Sequence, residues 1–305
     1  MAVEETSEKK STLRQCRDDL MAVTKARLSF LVVLTACFGY VLATKGQGTF
    51  SGMTLFHVFL GTALSAAGSA VFNQLMEIDS DSRMQRTSDR PLPANRMPRA
   101  GAFIFGWLLC AFGLIHLGVM VNVTASVMAG LTLLTYLFVY TPMKRVSSAN
   151  TLVGAVSGAI PPLIGWAGGG QPLLSAGAVF LFALLFFWQL PHFAAINWMY
   201  REEYIRGGFK MWSNDDESGH RTAKIALFYA VCLTLLGILF PLVSSAMQGW
   251  GTLSGGLLGG ITVWLAWKFL MNGERGAARS LFYFTLLYLP LMMIASYLAW
   301  IGVSR

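Results

Sequence analysis

The apolar residues of this 305-residue chain fall into nine runs, 28–44, 53–76, 101–121, 123–142, 149–169, 174–199, 224–246, 252–272 and 281–302, with polar segments between them. Each run is close to the roughly 20 helical residues that cross a bilayer core. The pattern predicts an all-α integral membrane protein with nine transmembrane helices. The 31 glycines fit that reading, because small residues let membrane helices approach closely. Composition agrees: 55% of residues are hydrophobic and only 12% charged, against roughly 25% charged in a soluble domain. A soluble globular enzyme is excluded.

A net charge of +8 is compatible with an anionic partner, and the positions of the charges decide which one. With the N-terminus placed in the cytoplasm, 21 of the 23 Lys and Arg residues fall on the cytoplasmic side, and only Lys45 and Arg305 fall outside. That bias is the positive-inside signal. The charge therefore reports orientation and a lipid bilayer with anionic headgroups, and nucleic acid is rejected as a partner. All 15 acidic residues also fall on the cytoplasmic side, although orientation does not require it, so polar chemistry is expected at that face.

Cys16, Cys37, Cys110 and Cys232 are dispersed, which indicates neither a disulfide framework nor a zinc site. Residues 1–26 are polar and charged, so no removable signal peptide is read there. They are expected to form a cytoplasmic tail or an amphipathic lead-in to a single 27–305 membrane domain.

The candidate chemistry begins at the end of the second run. Asn73, Glu77 and Asp81 are spaced i, i+4, i+8, and each step drifts only about 40° around a helix, so three oxygen-bearing side chains share one face. Such hard ligands suit Mg²⁺, which is usually held by one or two carboxylates together with substrate phosphates. Arg83, Arg86 and Arg90 follow, and their planar forks suit phosphate oxygens. Together they point to a diphosphate-metal site. A solvated loop of mutual salt bridges is the plainer alternative, but the acids begin while the helix is still apolar, where charge is costly. Asp79 falls on roughly the opposite face, and Asp89 before Arg90-Pro91 reads as a turn residue.

A second acidic cluster, Glu202-Glu203, stands where the sixth run ends, followed by Tyr204, Arg206 and Lys210. Facing the first cluster, it would complete a two-metal clamp, with one of the adjacent acids as ligand. Asp215, Asp216 and Glu217 read as a solvated acidic run. Lys144 and Arg145 fit both positive-inside anchoring and diphosphate contact. Asn150 fits a helix cap or a polar site residue, and Pro161-Pro162 should kink its helix. His192 is an ionisable group in an apolar run near this end, which makes it a functional candidate; imidazole is a usual haem ligand. His57 and His116 receive no role.

These residues carry a resemblance. Asn73-x3-Glu77-x3-Asp81, continuing through Arg83, Arg86-Thr87 and Arg90-Pro91-Leu92, resembles the first aspartate-rich motif of the UbiA-type intramembrane prenyltransferases, and more narrowly of their haem-farnesylating members. Thr24-Lys25-x-Arg27, Tyr140-Thr141 to Lys144-Arg145, Asn150-Thr151, Gly158-Ala159-x-Pro161-Pro162, Pro191-His192-Phe193 and Glu203-Tyr204 are similar to further family stretches. Ala26, Glu77 and the Glu202-Glu203 pair stand where Pro, Asp and Asp-Asp are frequent, which bears on metal geometry more than on activity.

The resemblance implies a nine-helix UbiA-like bundle in the cell inner membrane that transfers the farnesyl group of farnesyl diphosphate to a vinyl group of haem b, with addition of water, giving haem O and diphosphate. It implies Mg²⁺ held by Asn73, Glu77 and Asp81 with help from Glu203 or Glu202, and diphosphate held by Arg83, Arg86, Arg90, Lys144 and Arg145. His192 is the haem-contact candidate, with Lys25, Arg27, Asn150 and Tyr204 as further site candidates. Haem-handling or terminal-oxidase assembly proteins are the implied partners. The alternatives are a sister enzyme prenylating an aromatic or quinone precursor, and a secondary transporter. Transporters place ionisable groups near the bilayer midplane, whereas here they stand at span ends on one side.

Overall fold

A computed structural model describes residues 14–301; the expectations placed on residues 1–13 and on Arg305 lie outside the described residues. Nine helices among them are long and apolar enough to cross a membrane: α1 (Ala26–Thr44), α2 (Gly52–Arg83), α3 (Arg99–Met120), α4 (Val123–Met143), α5 (Asn150–Gly168), α6 (Ala176–Met199), α7 (His220–Val243), α8 (Gly251–Asn272) and α9 (Arg275–Ala299). They match the nine predicted runs, with one systematic difference. α2 continues to Arg83 rather than 76, and α7 and α9 begin at His220 and Arg275 rather than 224 and 281. An apolar run marks the bilayer, while helical hydrogen bonding carries on through the polar residues beside it.

Small residues set the closest helix pairs. A Cβ on Gly165 of α5 would lie 1.7 Å from the Ala36 carbonyl oxygen of α1, and one on Gly255 of α8 would lie 2.2 Å from the Gly237 oxygen of α7. At both crossings backbone meets backbone, and only glycine fits. The outward faces are apolar and exposed, as at Phe112 and Val119 on α3 and Leu253 and Leu257 on α8. Those side chains face lipid rather than a protein core. The largest buried cluster surrounds α6 and includes Trp166, Phe180, Leu184, Tyr288 and Trp300.

Three irregularities shape the site end of the bundle. Residues 14–23 form a short helix whose Val23 buries against Val71, Leu92 and Ala102. The Gln74 amide donates to the Ala22 and Val23 carbonyls at 2.8 and 2.9 Å. This segment turns into α1 at Lys25, held at φ 46° and ψ 47°, a left-handed conformation that is uncommon outside glycine. α4 contains a π-helical stretch, Thr135–Tyr140, and such segments re-aim side chains at functional sites. α5 breaks between Ala159 and Pro161, at the expected proline pair, because proline has no N–H to donate.

One acidic residue departs from expectation. Asp215 and Glu217 are exposed, but Asp216 is 5% exposed. It accepts hydrogen bonds from Gly219 N at 2.9 Å, Thr222 N at 2.7 Å and Thr222 Oγ1 at 2.8 Å. The solvated-run reading fails there because Asp216 ties down the start of α7, where free N–H groups need an acceptor. Burial alone would raise its pKa, and the Thr222 and Gly219 donors hold it below the usual value. Asp216→Ala should therefore lower stability by about 1 kcal/mol, read as a lower Tm in detergent. Because the folded-state pKa is depressed, this stabilisation is present above the ordinary carboxylate range and lost as pH falls through the folded value. The Tm gap between wild type and Asp216→Ala should shrink on acidification; a constant gap would show that the carboxylate charge contributes nothing.

Candidate active site

The acidic face of α2 is buried: Asn73, Glu77 and Asp81 are 0%, 4% and 1% exposed. Each meets a cation brought by a different element. The Lys25 ammonium, at the turn before α1, donates to Asn73 Oδ1. Lys144 Nζ, at the end of α4, lies 2.7 Å from Glu77 Oε1, and Arg90 Nη1, in the segment after α2, lies 2.6 Å from Asp81 Oδ2. The spacing rule placed the three oxygen-bearing side chains on one face; the fold adds three cations, one rung each. Asn73 is engaged at both ends, since its amide also donates to Thr141 Oγ1 at 3.1 Å.

The two lysines respond differently to this setting. Burial pushes Lys25 down to about 7, against the attraction of Glu77. Burial opposes the charge of Lys144 as well, but the ion pair with Glu77 outweighs it and raises Lys144 above its ordinary value. Lys144 also sits 4.5 Å from the Tyr140 ring centroid and 5.5 Å from that of Phe209. Asn150 Nδ2 donates to the Ser147 and Lys210 carbonyls, both at 2.6 Å, and Lys210 N donates to Lys144 O at 2.6 Å. Asn150 thus stitches the α4–α5 loop to residues 209–211 and fixes the backbone that carries Lys144.

Together these groups enclose a polar pocket of about 220 Å³, lined by Lys25, Glu77, Asp81, Arg86, Arg90, Lys144, Asn150 and Tyr204 among others. The remaining expected residues do not line it. Arg83 donates to the Asp79 and Gly207 carbonyls at 3.1 and 3.5 Å, and Arg145 donates to Met76 O at 3.1 Å. Arg27 is exposed on α1. Glu202 is paired with Arg275 at 2.6 Å on the surface, and Glu203 with Arg206. Neither glutamate lines the polar pocket. No three His, Cys, Asp or Glu side chains among the described residues are grouped to hold a metal ion. Glu77 and Asp81 nonetheless form a donor set that fits Mg²⁺, which takes one or two carboxylates and completes its shell with phosphate oxygens and water. Glu203 Oε2, buried without a partner, is a further free acceptor nearby in sequence to Tyr204.

Lys25, Leu28, Tyr136, Tyr140 and Phe193 line the polar pocket and also a much larger apolar chamber of about 850 Å³. The chamber is walled by α1, α2, α4, α5, α6 and α9. It opens sideways toward lipid between α1 and α9, where its lining residues Leu28, Leu31 and Leu34 and Leu286, Ile294 and Tyr297 are exposed. A charged head and a long apolar tail could occupy the two compartments at once.

His192 borders the chamber one residue before the shared Phe193. It stacks between Trp188 and Phe282, with centroids 5.4 and 4.9 Å away, and its Nδ1 lies 2.8 Å from Thr285 Oγ1. Sequence reasoning overlooked Tyr136 and Thr285, and gave Tyr140 no role at the site. Tyr136, Tyr140 and Lys144 repeat the i, i+4, i+8 spacing of the α2 acids, so the signal existed. A threonine in an apolar helix gave none. His57 and His116, to which no role was given, bond to each other at 3.1 Å between α2 and α3.

Residues 32–294 match the model of the UbiA prenyltransferase family. A protohaem IX farnesyltransferase of Opitutus terrae is 40% identical over 276 residues, spanning 90% of this chain and 92% of that protein. Another, from Solibacter usitatus, is 36% identical and spans 90% and 96%. Among solved structures, digeranylgeranylglyceryl phosphate synthase superposes with a TM-score of 0.76 at 15% identity, covering 93% of this chain and 98% of that one. A UbiA homologue from Archaeoglobus fulgidus bound to GPP and Mg²⁺ gives 0.64 at 14% identity, covering 91% and 99%. The chain belongs to the UbiA prenyltransferase family and, within it, groups with the protohaem IX farnesyltransferases.

Proposed function

We propose that the chain joins the farnesyl group of farnesyl diphosphate to a vinyl group of haem b, with addition of water, giving haem O and diphosphate. The observation that carries the reading is the continuity of a basic and acidic pocket with an apolar chamber through five shared residues. Its acceptor is taken from the protohaem IX farnesyltransferases that the chain resembles over nine-tenths of its length. On this reading the active site stands at the cytoplasmic face of the cell inner membrane; the gathering of basic residues at the pocket end of the bundle supports that side through the positive-inside rule.

Each wall has a task. Arg86, Arg90, Lys25 and Lys144 attract the diphosphate oxygens, arginine with a planar fork and lysine as a point charge. Glu77 and Asp81 would hold Mg²⁺ against the same oxygens, with Asn73 behind them, and the ion when bound neutralises the departing diphosphate. Glu203 would join this set after releasing Arg206. Arg83 and Arg145, held by backbone carbonyls outside the pocket lining, are the proposed secondary diphosphate contacts. Tyr136, Tyr140 and Phe193 separate the head compartment from the tail compartment. The apolar wall excludes bulk water from the allylic cation left when the carbon–oxygen bond breaks. His192 faces the acceptor haem.

The direct test is incubation of the purified protein with farnesyl diphosphate, Mg²⁺ and haem b, followed by mass spectrometry of the haems. A farnesylated, hydrated haem is expected; farnesylation of an aromatic acid in its place would reject the acceptor. Chelation should abolish turnover and Mg²⁺ should restore it, as followed by diphosphate release. Asp81→Asn should lower turnover by about 10²-fold or more while the protein stays folded and membrane-inserted. Retention of near-normal turnover in that variant would remove Asp81 from the metal set.

A further inference from the structure

The reaction proposed above, on which this inference rests, consumes a water molecule, and the polar pocket is the wrong place to supply it. When the diphosphate leaves with the carbon–oxygen bonding pair, the terminal vinyl carbon of the haem bonds to farnesyl C1. The positive charge then sits on the inner vinyl carbon, two bonds from C1. With the diphosphate in the pocket and the prenyl chain in the chamber, that carbon falls past the Tyr140 and Phe193 boundary, on the chamber side. A water held there must be ordered by the chamber's own polar groups, since bulk water at the same level would quench the allylic cation first.

α6 provides such groups next to the boundary. Gln189 and His192 are three positions apart, hence on one helical face about a turn apart, and both line the chamber. The Gln189 amide nitrogen donates to Ala155 O at 2.8 Å and Leu185 O at 3.0 Å. Both N–H groups are used, and the two carbonyls fix which end is nitrogen. Its Oε1 lies over Gly158, where a Cβ would come within 2.3 Å of it. Gly158 also lines the chamber, so the absence of a side chain there makes room for this acceptor.

The tautomer of His192 follows from α9. Thr285 Oγ1 donates its single hydrogen to Phe282 O at 2.6 Å, so toward His192 it can only accept. His192 Nδ1 therefore carries the proton, and Nε2 holds a bare lone pair. Trp188 and Phe282 cover the two ring faces, and the Trp188 indole is itself fixed by donating to Thr285 O at 2.7 Å. The edge bearing Nε2 is what remains for the chamber.

We propose that Gln189 Oε1 and His192 Nε2 hold the water that hydroxylates the haem vinyl group, and that Thr285 is the positioning residue that keeps Nε2 unprotonated. One water hydrogen is donated to each acceptor, which turns the oxygen lone pair toward the inner vinyl carbon. The oxygen lone pair forms the new carbon–oxygen bond, and the proton on the side of His192 passes to Nε2. The resulting imidazolium returns it to solvent as product leaves. Without the ordered water the cation loses a proton from the adjacent methylene, and the product is an alkene lighter by one water.

The test uses full-length protein in nanodiscs with farnesyl diphosphate, Mg²⁺ and haem b, reading diphosphate release and the masses of the haem products. Gln189→Leu and His192→Asn should each raise the ratio of dehydrated to hydrated farnesyl haem at least about tenfold, with diphosphate release still detectable. Thr285→Val should do the same, and Thr285→Ser should restore the wild-type ratio. An unchanged ratio in Gln189→Leu and His192→Asn overturns the proposal. So does loss in His192→Asn of a wild-type haem spectrum showing imidazole bound to iron, because Nε2 would then be a ligand rather than a proton acceptor. Failure of wild type to form any farnesylated haem would instead strike the underlying reading.

Discussion

Burial of carboxylates at the end of an apolar helix is the constraint on which the rest of this architecture depends. Glu77 and Asp81 are withdrawn from water on α2, and a desolvated charge is tolerated only with a close, well-aligned partner. No partner is available from α2 itself at that depth. Lys144 therefore arrives from the end of α4 and Arg90 from the turn after α2, at 2.7 and 2.6 Å. Much of the irregular backbone nearby follows from delivering these cations: the left-handed Lys25, the π stretch of α4, and the loop that Asn150 ties to Lys210. Stripping one partner from such a pair costs about 3–5 kcal/mol, so the charges hold one another until a ligand replaces the partners. A diphosphate with its metal does this without a net loss of contacts, since its oxygens attract the cations while the metal takes the acids.

The sequence disclosed a great deal of this arrangement where a period was involved. Apolar runs located all nine helices, and the four-residue spacing of Asn73, Glu77 and Asp81 placed them on one face. What escaped was of three kinds. The partners of the acids come from elements distant in the chain, so no local spacing announces that Lys144 meets Glu77 rather than solvent. Asp216 shows the converse. As one of three consecutive acids it reads as solvated, yet the turn at Gly219 aims two backbone and side-chain donors of Thr222 at it, and it is buried while its neighbours are not. Adjacent residues of identical charge can have opposite environments once the backbone reverses. Thr285 was illegible for a third reason: its effect is on the protonation of His192, ninety-three residues away, and depends on a hydroxyl hydrogen already given to Phe282.

The change of polarity at the boundary between the two compartments is the last consequence of the same burial. The five residues common to pocket and chamber are one lysine, one leucine and three aromatic rings. On the pocket side four cations, Lys25, Arg86, Arg90 and Lys144, face two carboxylates, Glu77 and Asp81, and the net field, strengthened where a metal takes the acids, stabilises a leaving diphosphate more than an esterified one, the difference that lowers a barrier. On the chamber side the aromatic faces present negative quadrupoles, which tolerate a carbocation without offering it a lone pair to bond. A prenyl diphosphate seated across the boundary has its breaking bond at the place where the preferred sign of charge reverses. Separation of the ions is then favoured on both sides of the boundary, and the carbocation is kept from unordered water because the chamber is apolar and opens toward lipid.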